Sequence, residues 1–154
     1  MRGIAAWTAA ACLAAPAFAE QWTQRFDYKP SHHVQEIEFA LDRVRIRQVV
    51  FRSGPRAGEA ARRPSAECTV RVDNDGETAV AVGVAVVVFD AEGNVVAAGS
   101  GGTRVGWLWP GERDTSTIRF PFVYRNFDRA KTFLITMEVE RRPPKEAPAG
   151  KPVP

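Results

Sequence analysis

Residues 79–89 read Ala-Val-Ala-Val-Gly-Val-Ala-Val-Val-Val-Phe, an eleven-residue run that is apolar at both parities. A helix needs about 20 apolar residues to span a bilayer, so this run is too short for that. Its valines carry two heavy atoms on Cβ, which restricts χ1 and favours extended backbone over helix. The run therefore reads as a central strand covered on both faces. Asp90-Ala91-Glu92-Gly93-Asn94 turns the chain back into Val95-Val96-Ala97-Ala98. On the other side Asp73-Asn74-Asp75-Gly76 makes a tight turn, because Asn, Asp and Gly tolerate positive φ.

Working outward, Cys68, Val70 and Val72 share one parity of a strand over residues 67–72. Ile37, Phe39 and Leu41 alternate with charged or small residues, and Val44 and Ile46 continue on the opposite parity. That one-residue slip predicts a β-bulge near Asp42-Arg43. Past the valine run, residues 99–102 form a glycine cluster that reads as a flexible connection. Residues 103–109 then read as a strand stopped by Pro110-Gly111. Residues 115–123 follow, with Ile118, Phe120 and Phe122 on one face and Pro121 marking a sheet edge. Phe133, Ile135, Met137 and Val139 alternate against Leu134, Thr136 and Glu138 in a last strand. No window has helical periodicity. About seven strands with turns at this spacing predict an all-β fold, an immunoglobulin-like antiparallel β-sandwich over residues 37–140.

The flanks differ. Residues 20–36 are polar with interspersed Trp22, Phe26 and Tyr28, and are expected to lie irregularly over the domain rather than in its sheets. Residues 52–66 hold two glycines, two prolines and four arginines and read as a solvated loop. Residues 141–154 carry five prolines and are expected to be an extended, disordered tail.

Residues 1–19 read as a secretory signal. Arg2 supplies the positive start, the Ala-rich run to Ala15 the apolar stretch, and Ala17-Phe18-Ala19 the small residues of a cleavage site. Cys12 offers a rival reading as a lipid-modified cysteine, but Ala9 stands where a larger residue is wanted three places before it. A soluble periplasmic or secreted product beginning at Glu20 is therefore expected. Cleavage removes one base and no acid, leaving 135 residues with 20 bases, 18 acids and a formal charge of +2. A chain so close to neutral has no strong pull toward nucleic acid or acidic membranes. Cys68 is then the one remaining cysteine, without an intramolecular partner, and its parity points the thiol into the core.

The stretch Val70 to Asn74, the strand ending Val86-Val87-Val88-Phe89-Asp90, and Leu108-Trp109-Pro110-Gly111-Glu112 together resemble the FxLyD domain and its immunoglobulin-like relatives. Val86, Val88 and Phe89 stand at that pattern's Phe, Leu and Tyr positions, and Asp90 is retained. The resemblance covers roughly residues 37–140. It implies a small β-sandwich of bacterial envelope or secreted proteins, with no catalytic residues to carry over.

Candidate sites are few. Trp107 and Trp109 share a face, and if Leu108 fills the core both indoles point away from it, forming a candidate surface for a partner protein or a sugar ring. The competing expectation is that Trp22, Phe26 or Tyr28 packs over them. His32-His33, near Asp27 and Glu36, could seed a metal site, although neighbouring side chains of an extended chain point to opposite sides. The acidic pairs Asp73/Asp75 and Asp90/Glu92 sit at turns, where Asp serves the backbone. With both histidines outside the predicted sandwich and Cys68 pointing inward, enzyme chemistry has no foothold, and no cofactor is expected. The sequence thus reads as a non-catalytic binding or assembly module of the envelope. A carbohydrate-binding protein using Trp107 and Trp109, or a metal carrier using His32 and His33, stands as the alternative.

Overall fold

The computed structural model describes residues 20–30, 32–54, 65–104, 106–121 and 124–142. Residues 1–19, on which the expected secretory signal falls, most of the arginine-rich loop, Phe122 and the proline-rich tail past Arg142 lie outside them. The described residues form eight strands: β1 (Glu20–Asp27), β2 (Val34–Leu41), β3 (Val44–Gly54), β4 (Ser65–Asn74), β5 (Val80–Phe89), β6 (Val95–Gly102), β7 (Arg113–Pro121) and β8 (Thr132–Arg141). A short 3₁₀ helix, Tyr124–Arg129, joins the last two. The strands form two four-stranded antiparallel sheets, β1-β8-β5-β6 and β2-β3-β4-β7. The chain passes from one sheet to the other between β1 and β2, between β4 and β5, between β6 and β7, and between β7 and β8, the last three as in an immunoglobulin-like sandwich.

The valine run is the interior strand β5. Val80, Val82, Val84, Val86 and Val88 face the core and are almost fully buried. On the outer face Ala81, Ala85, Val87 and Phe89 are half-buried and Gly83 is exposed. The alternating residues of β8, Phe133, Ile135, Met137 and Val139, are buried as the pattern predicted. Burial of side chains of this size contributes about 1.5–3 kcal/mol each, which makes these two strands the centre of the fold.

Four expectations are corrected. First, residues 20–27 are not an irregular cover but a strand, paired with β8 from Glu20↔Val139 to Asp27↔Thr132. As an edge strand with only Phe26 half-buried, β1 shows no apolar alternation for the sequence to display. Phe26 stacks on Phe133 at 5.5 Å and Tyr28 meets Phe51 at 5.1 Å, so both belong to the aromatic end of the core. Second, Asp42-Arg43 is a two-residue hairpin turn, with Asp42 at φ 55°, rather than a bulge. The bulges lie on either side of it: one extra residue between Glu36 and Phe39 in β2, and Arg47 in β3. The second bulge moves the buried set from Val44 and Ile46 to Val49 and Phe51.

Third, residues 99–102 are part of β6, and the lack of side chains at Gly99 and Gly101 lets β6 lie close against β7. A Cβ on Gly99 would come within 2.8 Å of Ile118 Cγ2, and one on Gly101 within 2.6 Å of Ser116 Oγ. This edge of the sandwich is therefore sealed, whereas at the β1/β2 edge Trp22, on the same sheet face as Met137, is 54% exposed. Fourth, among the described residues of 103–109 there is no strand: β6 ends at Gly102, and Leu108 makes an isolated bridge to Val80.

Candidate functional site

The tryptophan pair sits on a corner built around Asn74. This asparagine ends β4 with its side chain buried, and every polar atom of its amide is used. Nδ2 donates to the carbonyls of Thr78 and Leu108, each at 2.9 Å, and Oδ1 accepts from Gly76 N–H at 2.9 Å. Its backbone N–H donates to Glu112 O at 3.0 Å, and its carbonyl accepts from Gly111 N–H at 2.8 Å. The turn after β4 and the loop before β7 are thereby one unit. Leu108 completes it by exchanging two backbone hydrogen bonds with Val80 and burying its side chain to 2% exposure.

With Leu108 fixed inward, its neighbours face outward. Trp109 is 50% exposed and Trp107 is half-buried. Glu112 closes the loop on itself: its carboxylate accepts from Trp109 N–H at 2.9 Å, while its N–H donates to Trp109 O at 3.0 Å. Gly111 takes φ 77° in this turn, a left-handed backbone that glycine adopts without steric cost. The expected cover of N-terminal aromatics is absent from the pair, since Phe26 and Tyr28 pack into the core and Trp22 stands exposed on β1. What lies on the indoles instead is Arg142, whose guanidinium carbon is 5.9 Å from the Trp107 ring centroid and 5.2 Å from that of Trp109. The sequence reading missed Arg142 because it was taken with the proline-rich tail, although its backbone N–H still bonds to Ala79 O.

The remaining candidates are distributed differently. His32 and His33 are both exposed at the turn into β2, with His32 at φ 72°. Among the described residues no three His, Cys, Asp or Glu side chains gather as a metal site would require. Cys68 is fully buried in β4, and burial pushes its thiol pKa far up, which withholds the reactive thiolate. Asp73 and Asp75 are answered by arginines: Arg47 reaches Asp73 at 2.9 Å and Asp75 at 3.1 Å, Arg71 reaches Asp73 at 3.2 Å, and Arg45 reaches Asp75 at 3.3 Å. The bulged face beside them holds a concavity of about 420 Å³ rimmed by Glu36, Glu38, Arg45, Arg47 and Arg71 and lined also by Ile37, Phe39 and Ile46, a surface of mixed sign and mixed polarity.

At the opposite end of β5, Asp90 is buried and accepts hydrogen bonds from Glu92 N–H, Asn94 N–H, the Asn94 amide and Arg129, at 2.8–3.1 Å. This carboxylate closes the β5–β6 turn and ties it to the 3₁₀ helix, so its partners are structural. Of the polar and aromatic candidates, the tryptophan corner alone combines a rigid support with exposed, recognition-capable side chains. No protein-family model matches the chain, and no curated protein matches it.

Proposed function

We propose that this chain works outside the cytoplasm, in the periplasm or as a secreted protein, as a non-catalytic binding or assembly module of the bacterial envelope. It engages another exported protein through Trp107 and Trp109. The observation that carries this reading is the half-exposed Trp109 beside Trp107 on a corner locked by Asn74 and Leu108. Large aromatic groups on a fixed support offer contact area with little ordering cost, which is why tryptophan is enriched among interface anchors. Export is supported by the sequence of residues 1–19, where Arg2, the Ala-rich run to Ala15 and Ala17-Phe18-Ala19 have the order of a secretory signal. Kinship with the FxLyD domain is supported by the meeting of Asn74 with Leu108 to Glu112, the two stretches that carry the resemblance. The burial of Cys68 and the exposure of both histidines favour a binding role over catalysis.

Affinity capture from envelope extracts tests the proposal. The mature protein is expected to retain a partner that the Trp107→Ala/Trp109→Ala variant loses, while circular dichroism of the two stays the same. Retention by the variant removes the tryptophan face from the reading. An intact mass that begins before Glu20 removes export by signal cleavage. A glycan array that responds to the wild type and not to the variant transfers the same surface to carbohydrate recognition.

A further inference from the structure

Arg142 shows what the tryptophan pair holds. An indole face attracts a cation within about 6 Å of its centroid, and a single guanidinium satisfies this for both rings. Both indoles therefore border the position of one guanidinium. No carboxylate places the cation there: among the described residues Arg142 makes no ion pair, whereas its neighbour Arg141 is bound to Glu20 and Asp42. The strand end delivers the side chain through the pinned Arg142 N–H, and the exposed guanidinium can leave without disturbing the core. The Glu112 carboxylate, bonded to Trp109 N–H, adds negative potential beside the rings.

We propose that the space between Trp107 and Trp109 recognises a cationic side chain of the partner protein, arginine before lysine, and that Arg142 is its intramolecular occupant, displaced when the partner's arginine enters. This rests on the reading that the pair is a protein-contact surface, and names the chemistry of that contact. Arginine is preferred because a planar, weakly hydrated guanidinium stacks on flat aromatic faces better than an ammonium does. An apolar side chain would have to expel Arg142 without replacing its attraction to the rings. An anion would meet the negative face of each indole. The arrangement also limits affinity until the partner is present, since an internal competitor lowers apparent binding by the fraction of sites it fills.

The test uses the mature protein, its Arg142→Ala variant and its Trp107→Ala/Trp109→Ala variant. Each is titrated calorimetrically with a short blocked peptide bearing one arginine and with its glutamate counterpart, and the indole N–H resonances are followed in parallel. Exposed cation–π contacts correspond to an occupied-to-free ratio of roughly two to five, so Arg142→Ala should bind the arginine peptide about three- to sixfold more tightly than wild type. The Trp107 and Trp109 indole signals should move, and the double variant should not bind. Unchanged or weaker binding of the arginine peptide to Arg142→Ala overturns the proposal. So does capture of the glutamate peptide by wild type with loss in Arg142→Ala, which would make Arg142 the reader of an acidic partner. Binding to phosphatidylcholine vesicles without binding to the arginine peptide would assign the space to a lipid headgroup and overturn it equally. None of these failures alters the envelope-capture result, which tests the tryptophan surface whatever its ligand's charge.

Discussion

The two ends of β5 are each organised by one buried polar side chain, and they use it to different ends. Near Val80, the Asn74 amide reaches Gly76, Thr78 and Leu108, drawing together two segments far apart in sequence. Past Phe89, the Asp90 carboxylate takes most of its bonds within its own turn, from Glu92 and Asn94, and one long-range bond from Arg129. The first arrangement makes a platform out of separate pieces and leaves Trp109 facing solvent. The second finishes a hairpin and latches the short helix. A neutral amide that bridges is indifferent to acid, while a carboxylate that caps is not, so the two ends should respond differently to mutation and to pH.

The largest expected effect is at the platform. Asn74→Ala removes three side-chain hydrogen bonds worth about 1 kcal/mol net each, and leaves the Leu108 carbonyl with the Val80 N–H as its remaining donor. A loss of about 2–4 kcal/mol in urea-unfolding free energy is expected. A red shift of tryptophan emission in the folded baseline should accompany it as the Leu108–Glu112 loop loosens. A loss under about 1 kcal/mol would mean that the backbone bonds of Asn74 with Gly111 and Glu112 hold the corner unaided.

At the other end the expected effect is smaller and depends on acid. Burial pushes the Asp90 carboxyl pKa upward, but the Asn94 side chain and N–H, the Arg129 charge and the Glu92 N–H outweigh it and hold the pKa below the ordinary 3.8. The folded state then binds fewer protons than the unfolded one near and below that value. The stabilisation is present above the unfolded pKa and is lost as pH falls through the folded pKa. Asp90→Asn should therefore lower Tm at pH 7 by less than Asn74→Ala does, and should flatten the decline in Tm between pH 4.5 and about pH 3. Asn74→Ala should leave that decline unchanged. Equal acid limbs in wild type and Asp90→Asn would show that this carboxylate contributes no pH-dependent stability.

How far the sequence could be read follows from the same physics. The valine run and the alternation of Phe133 to Val139 were legible because each places its apolar side chains on a face that the fold buries. The strand β1 was not, since an edge strand that buries part of one aromatic has no pattern to show. The parity slip after Leu41 was visible but ambiguous, because a hairpin and a bulge both change which residues face inward; the shift from Ile46 to Val49 marks the actual bulge at Arg47. The glycines of β6 look like a flexible link until Ile118 and Ser116 are seen beneath them, and close approach is a property of the facing strand. At the candidate site, the outward direction of Trp107 and Trp109 followed from Leu108 alone. Arg142 did not follow, because nothing local in a proline-rich tail says that its first residues still follow the sheet.

The smallest expected effect on folding is at the surface that matters most to the proposed role. Trp109 is half exposed, stands outside the core cluster, and touches the fold mainly through its backbone bonds with Glu112, which an alanine would keep. Its side chain does hold Arg142, but an exposed cation–π contact is worth about 0.5–1 kcal/mol, and Trp107 retains part of it. Trp109→Ala should therefore shift the unfolding free energy by no more than about 0.5 kcal/mol, against about 2–5 kcal/mol for Leu108→Ala one residue away. A large exposed residue whose removal the fold barely registers is left free for the partner contact proposed above. Were Trp109→Ala to cost as much as Leu108→Ala, the indole would be a structural plug, and the contrast between a scaffolded platform and a closed hairpin would no longer single out a binding face.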